Sequence, residues 1–204
     1  DFTINAMAMT GHQEIIDLFG GKEDIQNGVI RAVGEPVERF KEDALRMLRA
    51  FYFESKLGFR IESETKNAIK ANAHLIEHVA IERILNEIFK MLKGKNLKNA
   101  LNSMIETNII KYLPGLSEGI KYIANLDVMP FADAFFATCF VINGSIPSVW
   151  TFSNKHKHKY QQVMDIVNKY ETIDNLVLYQ YGLENALLAN KVSFILKVLQ
   201  VIAY

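Results

Sequence analysis

One short run of charged residues carries the clearest candidate chemistry in this sequence: Glu42, Asp43, Arg46 and Arg49. In a helix, at about 100° per residue, these four side chains fall on one polar arc, largely opposite the apolar residues of the segment. Spacing alone favours a solvent-exposed face, on which acids and arginines three residues apart form weak ion pairs. A ligand-binding role needs support from outside this run.

The residues around this run predict the helix that positions it. Pro36 suits a first helical turn, and Gly58 suits the end of the helix. Apolar residues recur between them at spacings of three and four, namely Val37, Phe40, Ala44, Leu48 and Phe51. We therefore expect one continuous helix across the charged run.

The rest of the chain predicts a small strand-containing piece followed by helices, so the expected fold class is mainly α. Strand-like segments precede Gly34 and are separated by turn residues; they cover 2–8, 14–18 and 29–33. Further helices are expected at 63–73, 80–93, 97–106, 133–141, 156–169 and 176–188, and in the terminal apolar segment from Phe194.

Composition excludes several functional classes. The chain has 204 residues with 23 Lys plus Arg against 23 Asp plus Glu, so bulk attraction to nucleic acid or to anionic membranes is not expected. Its single cysteine, Cys139, has no partner for an intrachain disulfide, and no zinc-type Cys/His spacing occurs, so a reducing, cytoplasmic setting without structural metal is expected. The longest apolar run, 131–142, is too short to span a bilayer.

Motifs in the first 116 residues resemble one known family. The Glu42-Asp43-x-x-Arg46 stretch resembles the Glu-Asp-x-x-Arg signature of the bacterial class II tRNA nucleotidyltransferases, which include CCA-adding enzymes and related poly(A) polymerases. The first residues, Asp1 to Ala6, are similar to that family's Arg-Arg-Asp-Phe-Thr-x-Asn-Ala motif without its two arginines. Segments 17–25, 30–34 and 82–87 resemble the sheet and neck helix that accompany these motifs.

The resemblance implies a role for the charged run as a protein template for a nucleotide base. Cytosine and adenine present an amino donor beside a ring-nitrogen acceptor, whereas uracil and guanine present a carbonyl beside a ring N–H. A carboxylate only accepts hydrogen bonds and a guanidinium only donates them, so Asp43 and Arg46 side by side suit C or A and oppose U or G. By position, Arg49 would orient the pair or touch the phosphates, and Asp1 and Asn5 would lie at the edge of the nucleotide pocket.

One position departs from the family pattern. The family commonly has a third arginine where this chain has Tyr52, followed by Phe53. A tyrosine carries no charge at neutral pH and donates one hydrogen bond, so a phosphate contact made there by arginine is weakened or lost. No site role is assigned to Tyr52.

The family's reaction uses Mg²⁺ held by paired carboxylates, together with ATP, CTP and tRNA. The resemblance places those carboxylates upstream of Asp1, so no catalytic or metal-binding residue is expected in this chain, and the chain alone is expected to be inactive. The nearby acids Asp17, Glu23 and Asp24 are interpreted as turn and helix-start residues.

Two basic clusters are candidates for RNA contact. One contains Lys90, Lys93, Lys95 and Lys98; the other is Lys155-His156-Lys157-His158-Lys159, beside a helix cap expected at Ser153 or Asn154. Lys155, Lys157 and Lys159 are the specific candidates, because cations at a helix start oppose the helix dipole until an anion binds there. A solvated lysine run is the alternative.

The resemblance divides the chain into the end of a nucleotidyltransferase head (1–34), a neck with the base-reading helix (35–94) and an incomplete helical body (95–204). Both ends look cut, because the chain starts inside a strand-like segment and stops inside an apolar helix pattern. The expected function is CCA addition to tRNA. Two alternatives stay open: a poly(A) polymerase or partial CC- or A-adding enzyme, and a non-catalytic helical RNA-binding module.

Overall fold

The structure is a computed structural model that describes residues 1–12 and 14–196. It divides into two compact units, the first spanning Asp1–Tyr112 and the second starting at Leu113. The described part is mainly helical with a little strand, which confirms the predicted fold class. The three-domain division with bounds at 34 and 94 stays a prediction.

The described residues of the first unit, 1–12 and 14–112, form short strands and six α-helices. Its elements are a 3₁₀ turn Thr3–Asn5, β1 Ala8–Met9, β2 Ile15–Ile16, α1 Gly21–Asn27, β3 Val29–Ile30, α2 Pro36–Glu42, α3 Leu45–Leu57, β4 Arg60–Ile61, α4 Ser63–Asn72, a 3₁₀ segment Ala73–His78, α5 Ile81–Met91, α6 Leu97–Glu106 and a 3₁₀ turn Ile109–Tyr112. Strands β1 and β2 pair antiparallel, while β3 and β4 pair parallel.

The strand predicted for residues 2–8 is mostly wrong. Phe2 forms an isolated bridge with Ala32, and a 3₁₀ turn follows at once. The N–H of Phe2 donates to Asn5 Oδ1 at 3.0 Å, and such local side-chain bonds compete with a strand ladder. Helix α1 was not predicted. Asp17, which the sequence indicated as a turn or helix-start residue, does lie just before this helix, and its carboxylate accepts the N–H groups of Gly21 and Lys22 at 2.9 and 2.8 Å.

Helix α3 is the central element of the first unit and packs against α5 and α6. Its inner face is fully buried at Met47, Ala50 and Phe51, so the helix is held along its length. A carboxyl group lies in the same interface: Glu54 is 5% exposed, and its Oε1 accepts from Ser103 Oγ at 3.0 Å. Burial raises the pKa of Glu54 to about 7.

The second unit contains α7 Ser117–Ala124, α8 Ala132–Asn143, α9 Asn154–Lys169, α10 Asn175–Tyr181 and α11 Leu183–Leu196. Its core is an aromatic cluster in which Phe136, Phe140 and Tyr160 pack together, and Trp150 Nε1 donates to Pro114 O at 2.8 Å.

The single helix predicted at 176–188 is wrong, because Gly182, at φ +77°, separates α10 from α11. The helix predicted for the terminal apolar segment includes residues 197–204, which lie outside the described residues. Among the described helices, none combines the length and apolarity needed to cross a bilayer.

Candidate functional site

The charged run does not lie on one helix, so the continuous helix predicted across it is wrong. Helix α2 ends at Glu42, Asp43 is extended at φ −151° and ψ 101°, and α3 begins at Leu45. The cause is local: Asp43 Oδ1 accepts the N–H of Leu45 at 3.2 Å, and a short acidic side chain bonded two residues ahead stabilises a turn. Asp43 therefore projects from a corner between two helices.

The carboxylate of Asp43 is bound and ionised at this corner. Its Oδ2 accepts from Arg83 Nη2 at 2.8 Å. Partial burial raises the pKa of Asp43, but the hydrogen bonds from Arg83 and Leu45 and the charges of Arg83 and Arg46 outweigh it, so the pKa is lowered overall. Each carboxylate oxygen still has a second lone pair for a ligand.

A pocket of about 260 Å³ opens beside Asp43. Its walls come from the α2–α3 corner, the 3₁₀ segment before α5 and the start of α5; its charged or titratable members are Lys41, Glu42, Asp43, His78 and Arg83. This volume is slightly below the range of about 300–1,000 Å³ typical of small-molecule sites.

Arg46 is held by three groups on its Nε and Nη1 sides. Nε lies 3.3 Å from Asp1 Oδ1, while Nη1 donates to Arg39 O at 2.9 Å and to Glu42 Oε2 at 2.7 Å. Within 1–12 and 14–196, Nη2 of Arg46 has no hydrogen-bond partner. The guanidinium is therefore fixed in orientation while one of its edges can still donate to a ligand.

Asp1 brings the two predicted arginines of α3 together. Arg49 donates from Nε to Asp1 Oδ2 at 2.7 Å, and its Nη2 lies 2.6 Å from the same oxygen. The other oxygen of Asp1 faces Arg46. Asn5, predicted at the same edge, instead accepts the N–H of Phe2 in the adjoining turn.

Two residues of α5 join this site, and sequence analysis did not single them out. Arg83 binds Asp43, and Glu87, one helical turn later, lies 3.9 Å from Arg49 through its Oε1. Glu87 is 4% exposed and also pairs with Lys90 at 2.7 Å. Their spacing of four residues, with opposite charges, was the available signal.

The described residues offer no site for a metal ion: no group of three or more His, Cys, Asp or Glu side chains is close enough to hold one. The acids near the strands have structural partners instead. Asp24, for example, is 5% exposed, accepts from Thr3 Oγ1 at 2.6 Å and pairs with Arg31 at 3.1 Å.

Around Tyr52, α3 carries two contacts between a cation and an aromatic ring. Lys56 Nζ lies 5.5 Å from the centroid of the Tyr52 ring, and the Arg49 guanidinium lies 5.6 Å from that of Phe53. Such contacts hold long cationic side chains against the helix surface. Tyr52 thus holds a lysine from the next turn, Lys56, against its ring.

The lysine candidates of the second unit fall into two groups. As predicted, Ser153 caps α9: its Oγ accepts the N–H of His156 at 3.3 Å. Lys159 is only 11% exposed and pairs with Asp133 at 3.1 Å and Glu184 at 2.5 Å. Lys155 is exposed and Lys157 half-buried, so these two are the accessible members of the cluster.

Two family models match the chain. Residues 1–31 match a model described as "Poly A polymerase head domain", and residues 58–120 match "Probable RNA and SrmB- binding site of polymerase A". The chain is 43% identical over 180 residues to a CCA-adding enzyme of Ligilactobacillus salivarius, covering 88% of the chain and 42% of that protein. It is also 43% identical over 206 residues to a CCA-adding enzyme of Bacillus cytotoxicus, covering 94% of the chain and 51% of that protein.

Solved structures give the same result. The chain matches a Bacillus stearothermophilus CCA-adding enzyme in complex with CTP at a TM-score of 0.79 and 33% identity, over 96% of this chain and 53% of that one. A Thermotoga maritima CCA-adding enzyme complexed with tRNA shares the fold, at a TM-score of 0.67 and 23% identity, over 95% of this chain and 55% of that one. The chain spans about half the length of the relatives it matches. It belongs to the family of CCA-adding enzymes and poly(A) polymerases.

Proposed function

We propose that the protein containing this chain is a tRNA nucleotidyltransferase that adds CCA to tRNA 3′ ends from CTP and ATP. The observation that carries the proposal is the closeness of Asp43 and Arg46: the backbone N–H of Arg46 donates to Asp43 O at 3.1 Å, the ionised Asp43 carboxylate can still accept, and Arg46 keeps an unpaired Nη2 edge. The relatives named CCA-adding enzymes, one of them solved with CTP, support it.

Base selection is the task of this chain in the proposed reaction. Asp43 accepts from the amino group of C or A, and Arg46 donates to the adjacent ring nitrogen. A bound U or G would set its carbonyl against the carboxylate and its ring N–H against the guanidinium. Such mispairing leaves buried polar groups unsatisfied, which is costly and gives strong discrimination. Arg49, held by Asp1, orients the pair or reaches the phosphates.

The transfer step joins the RNA 3′ oxygen to the α-phosphorus of the nucleotide and releases pyrophosphate, and the 3′ hydroxyl loses its proton. When bound, Mg²⁺ supplies activation of the attacking oxygen and charge stabilisation of the leaving group. Since the described residues do not fit a metal site, we place the metal-binding carboxylates in the part of the relatives' length that this chain does not span. No step of the chemistry is assigned to these 204 residues.

Sequencing of the 3′ ends tests the proposal. The full-length protein, incubated with CTP, ATP and tRNA lacking its 3′ end, should produce ends that stop at CCA. A run of A residues would instead identify a poly(A) polymerase, which the family-model descriptions also name, and ends that stop at CC or gain only A would identify a partial enzyme.

A non-catalytic RNA-binding module is the alternative of another class. The 204-residue chain alone should incorporate no nucleotide from ATP or CTP with magnesium and tRNA; incorporation would contradict the placement of the carboxylates. If the full-length protein is equally inactive yet binds tRNA, the binding-module alternative replaces the enzyme. We also propose a cytoplasmic location, because tRNA and both nucleotides are present there.

A further inference from the structure

Glu87 of α5 is a buried acid whose presence stability alone does not explain. Its side chain is 4% exposed, and its Oε2 atom is buried without a hydrogen-bond partner among residues 1–12 and 14–196. The other oxygen, Oε1, accepts from Lys90 Nζ at 2.7 Å. A buried carboxylate with one unsatisfied oxygen costs free energy, and an apolar side chain of similar volume often serves stability equally well. This acid therefore calls for a role other than stability.

The same carboxylate faces Arg49 of α3. Arg49 Nη1 lies 3.9 Å from Glu87 Oε1, and this nitrogen has no hydrogen-bond partner in the described part of the chain. The other two nitrogens of Arg49, Nε and Nη2, lie 2.7 and 2.6 Å from Asp1 Oδ2. Arg49 is therefore flanked by two carboxylates, of which Glu87 is buried and Asp1 is partly exposed.

This arrangement distinguishes the two roles proposed for Arg49. A guanidinium that binds a triphosphate needs N–H groups directed at the ligand, and carboxylates beside it repel the phosphates. Two nitrogens of Arg49 bind Asp1, the third lies near Glu87, and the ring of Phe53 lies 5.6 Å from the guanidinium. These contacts favour a role in orienting the proposed base-reading pair over contact with the phosphates.

Asp1 transmits the orientation of Arg49 to Arg46. While Oδ2 of Asp1 binds Arg49, Oδ1 lies 3.3 Å from Arg46 Nε. A carboxylate that bridges two guanidinium groups cannot rotate without losing one of them, so the position of Arg49 constrains that of Arg46. The contacts form a chain of alternating charges, in the order Glu87, Arg49, Asp1 and Arg46.

We propose that Glu87 is a positioning residue for base selection, which holds Arg49 in place and thereby fixes the unpaired Nη2 edge of Arg46. The inference rests on the proposed function, and it assigns Arg49 to the orientation of the pair. Glu87 itself touches neither the base nor the phosphates, because its side chain is buried. Its effect therefore appears in the choice between bases and in the affinity for CTP, while the rate at saturating CTP is kept.

The test measures competition between CTP and UTP for incorporation by the full-length protein. Glu87→Gln keeps the shape of the side chain but removes its charge, so the preference for CTP should fall about tenfold through a higher KM, with kcat nearly unchanged. Lys90→Gln breaks the same 2.7 Å pair but leaves Glu87 charged beside Arg49, and should keep the preference. Glu82→Gln, on an exposed position of the same helix, should also keep it.

Two further variants show whether the acid acts through Arg49. Adding Glu87→Gln to Arg49→Lys should change the preference little beyond the effect of Arg49→Lys alone, because a lysine cannot bind Asp1 and face Glu87 at once. Independent, additive effects would contradict the inference. Glu87→Asp keeps the charge and should retain more of the preference than Glu87→Gln; an equal loss in a folded Glu87→Asp protein would also contradict it.

Other outcomes would overturn the inference as well. Unchanged preference and KM in Glu87→Gln would show that this acid does not orient the pair. A lower KM for CTP and UTP alike would show that Arg49, once released, binds the phosphates instead.

A measurement on the free protein separates this inference from the proposed function. The Nε–H NMR signals of Arg46 and Arg49 should shift in Glu87→Gln and stay in place in Glu82→Gln; signals that stay in place in both variants would refute the positioning role. A wild-type protein that adds no nucleotide but shows these shifts refutes the proposed function and keeps Glu87 as the residue that positions the two arginines.

Discussion

Charges at the α2–α3 corner and charges in the lysine clusters are arranged in opposite ways. At the corner every acid has a basic partner: Asp43 binds Arg83, Glu42 binds Arg46, and Asp1 bridges Arg46 and Arg49. Among the described residues, no acid lies within ion-pairing distance of five exposed or half-exposed lysines, namely Lys56, Lys93, Lys95, Lys155 and Lys157. Paired charges hold a recognition edge in one orientation, whereas unpaired charges attract a phosphate chain without reading its sequence.

The largest expected effect is on base selection at the corner. Asp43→Ala in the full-length protein removes the acceptor that discriminates against U, so the preference for CTP over UTP should fall about 1,000-fold. Glu38→Ala, which removes a neighbouring acid of α2 that pairs with Lys41, is the matched control and should keep the preference. Competition between CTP and UTP for incorporation measures it; retained preference in Asp43→Ala would contradict the template role.

The second effect concerns Glu54, the buried acid of α3 that has no basic partner within hydrogen-bond reach. Its pKa of about 7 in the folded state lies above the ordinary value of 4.5, so the folded state retains the proton longer than the unfolded state. The contribution of Glu54 to stability should therefore be highest below pH 4.5, fall by roughly 3 kcal/mol as the pH rises to about 7, and be constant above that pH.

Hydrogen exchange of the α3 amides at pH 5 and pH 8 measures this loss of stability. Glu54→Gln cannot titrate, so its protection should not change between the two pH values once intrinsic exchange rates are corrected. Equal pH dependence in wild type and variant would exclude Glu54 as the source.

A smaller effect is expected from removing the charge of Glu42, because this carboxylate only orients the guanidinium of Arg46. The hydrogen bond from Arg46 lowers the pKa of Glu42, which is ionised at neutral pH. Glu42→Gln weakens that bond but leaves Arg46 attached to Asp1 and to Arg39 O, so kcat/KM for CTP should fall only about threefold, with the preference over UTP retained. A loss as large as that of Asp43→Ala would make Glu42 part of the reading edge.

The smallest effect separates the three lysines at the start of α9, Lys155, Lys157 and Lys159. Lys155→Ala/Lys157→Ala in the full-length protein should make the salt slope of tRNA affinity shallower by about 1, if these two residues touch phosphates. Lys159→Ala should leave it unchanged, because that ammonium is bound by Asp133 and Glu184. A change confined to Lys159→Ala would reverse this assignment.

Sequence patterns predicted helices well where apolar periodicity was unbroken. The helix at 97–106 has the predicted bounds, and those near 63–73 and 80–93 are close to them. Periodicity failed where a local bond or a glycine interrupts a helix without interrupting the apolar pattern, as at Asp43 and Gly182. An apolar spacing of three and four continues across both breaks, so the pattern alone cannot show them.

The candidate site was partly predictable. Motif resemblance singled out Asp43, Arg46 and Arg49, and the structure gathers the two arginines around Asp1. The contacts of Arg83 and Glu87 were not predicted, because their partners lie about 40 residues away in sequence and the four-residue spacing of the two charges does not identify those partners. The ion pairs of Lys159 were not predicted for the same reason, since Asp133 and Glu184 belong to other helices.

The corner at Asp43 gives the two residues of the proposed base-reading pair, Asp43 and Arg46, unequal stiffness. Arg46 belongs to a helix whose inner face is wholly buried, so its backbone opens only when α3 itself unfolds. Asp43 lies outside the helical hydrogen-bond ladder and is held by a turn and a half-exposed ion pair. A site that binds a purine base and a pyrimidine base in turn must adjust to the difference in ring size. We expect the backbone torsions of Asp43 to change for this purpose, while the axis of α3 stays fixed.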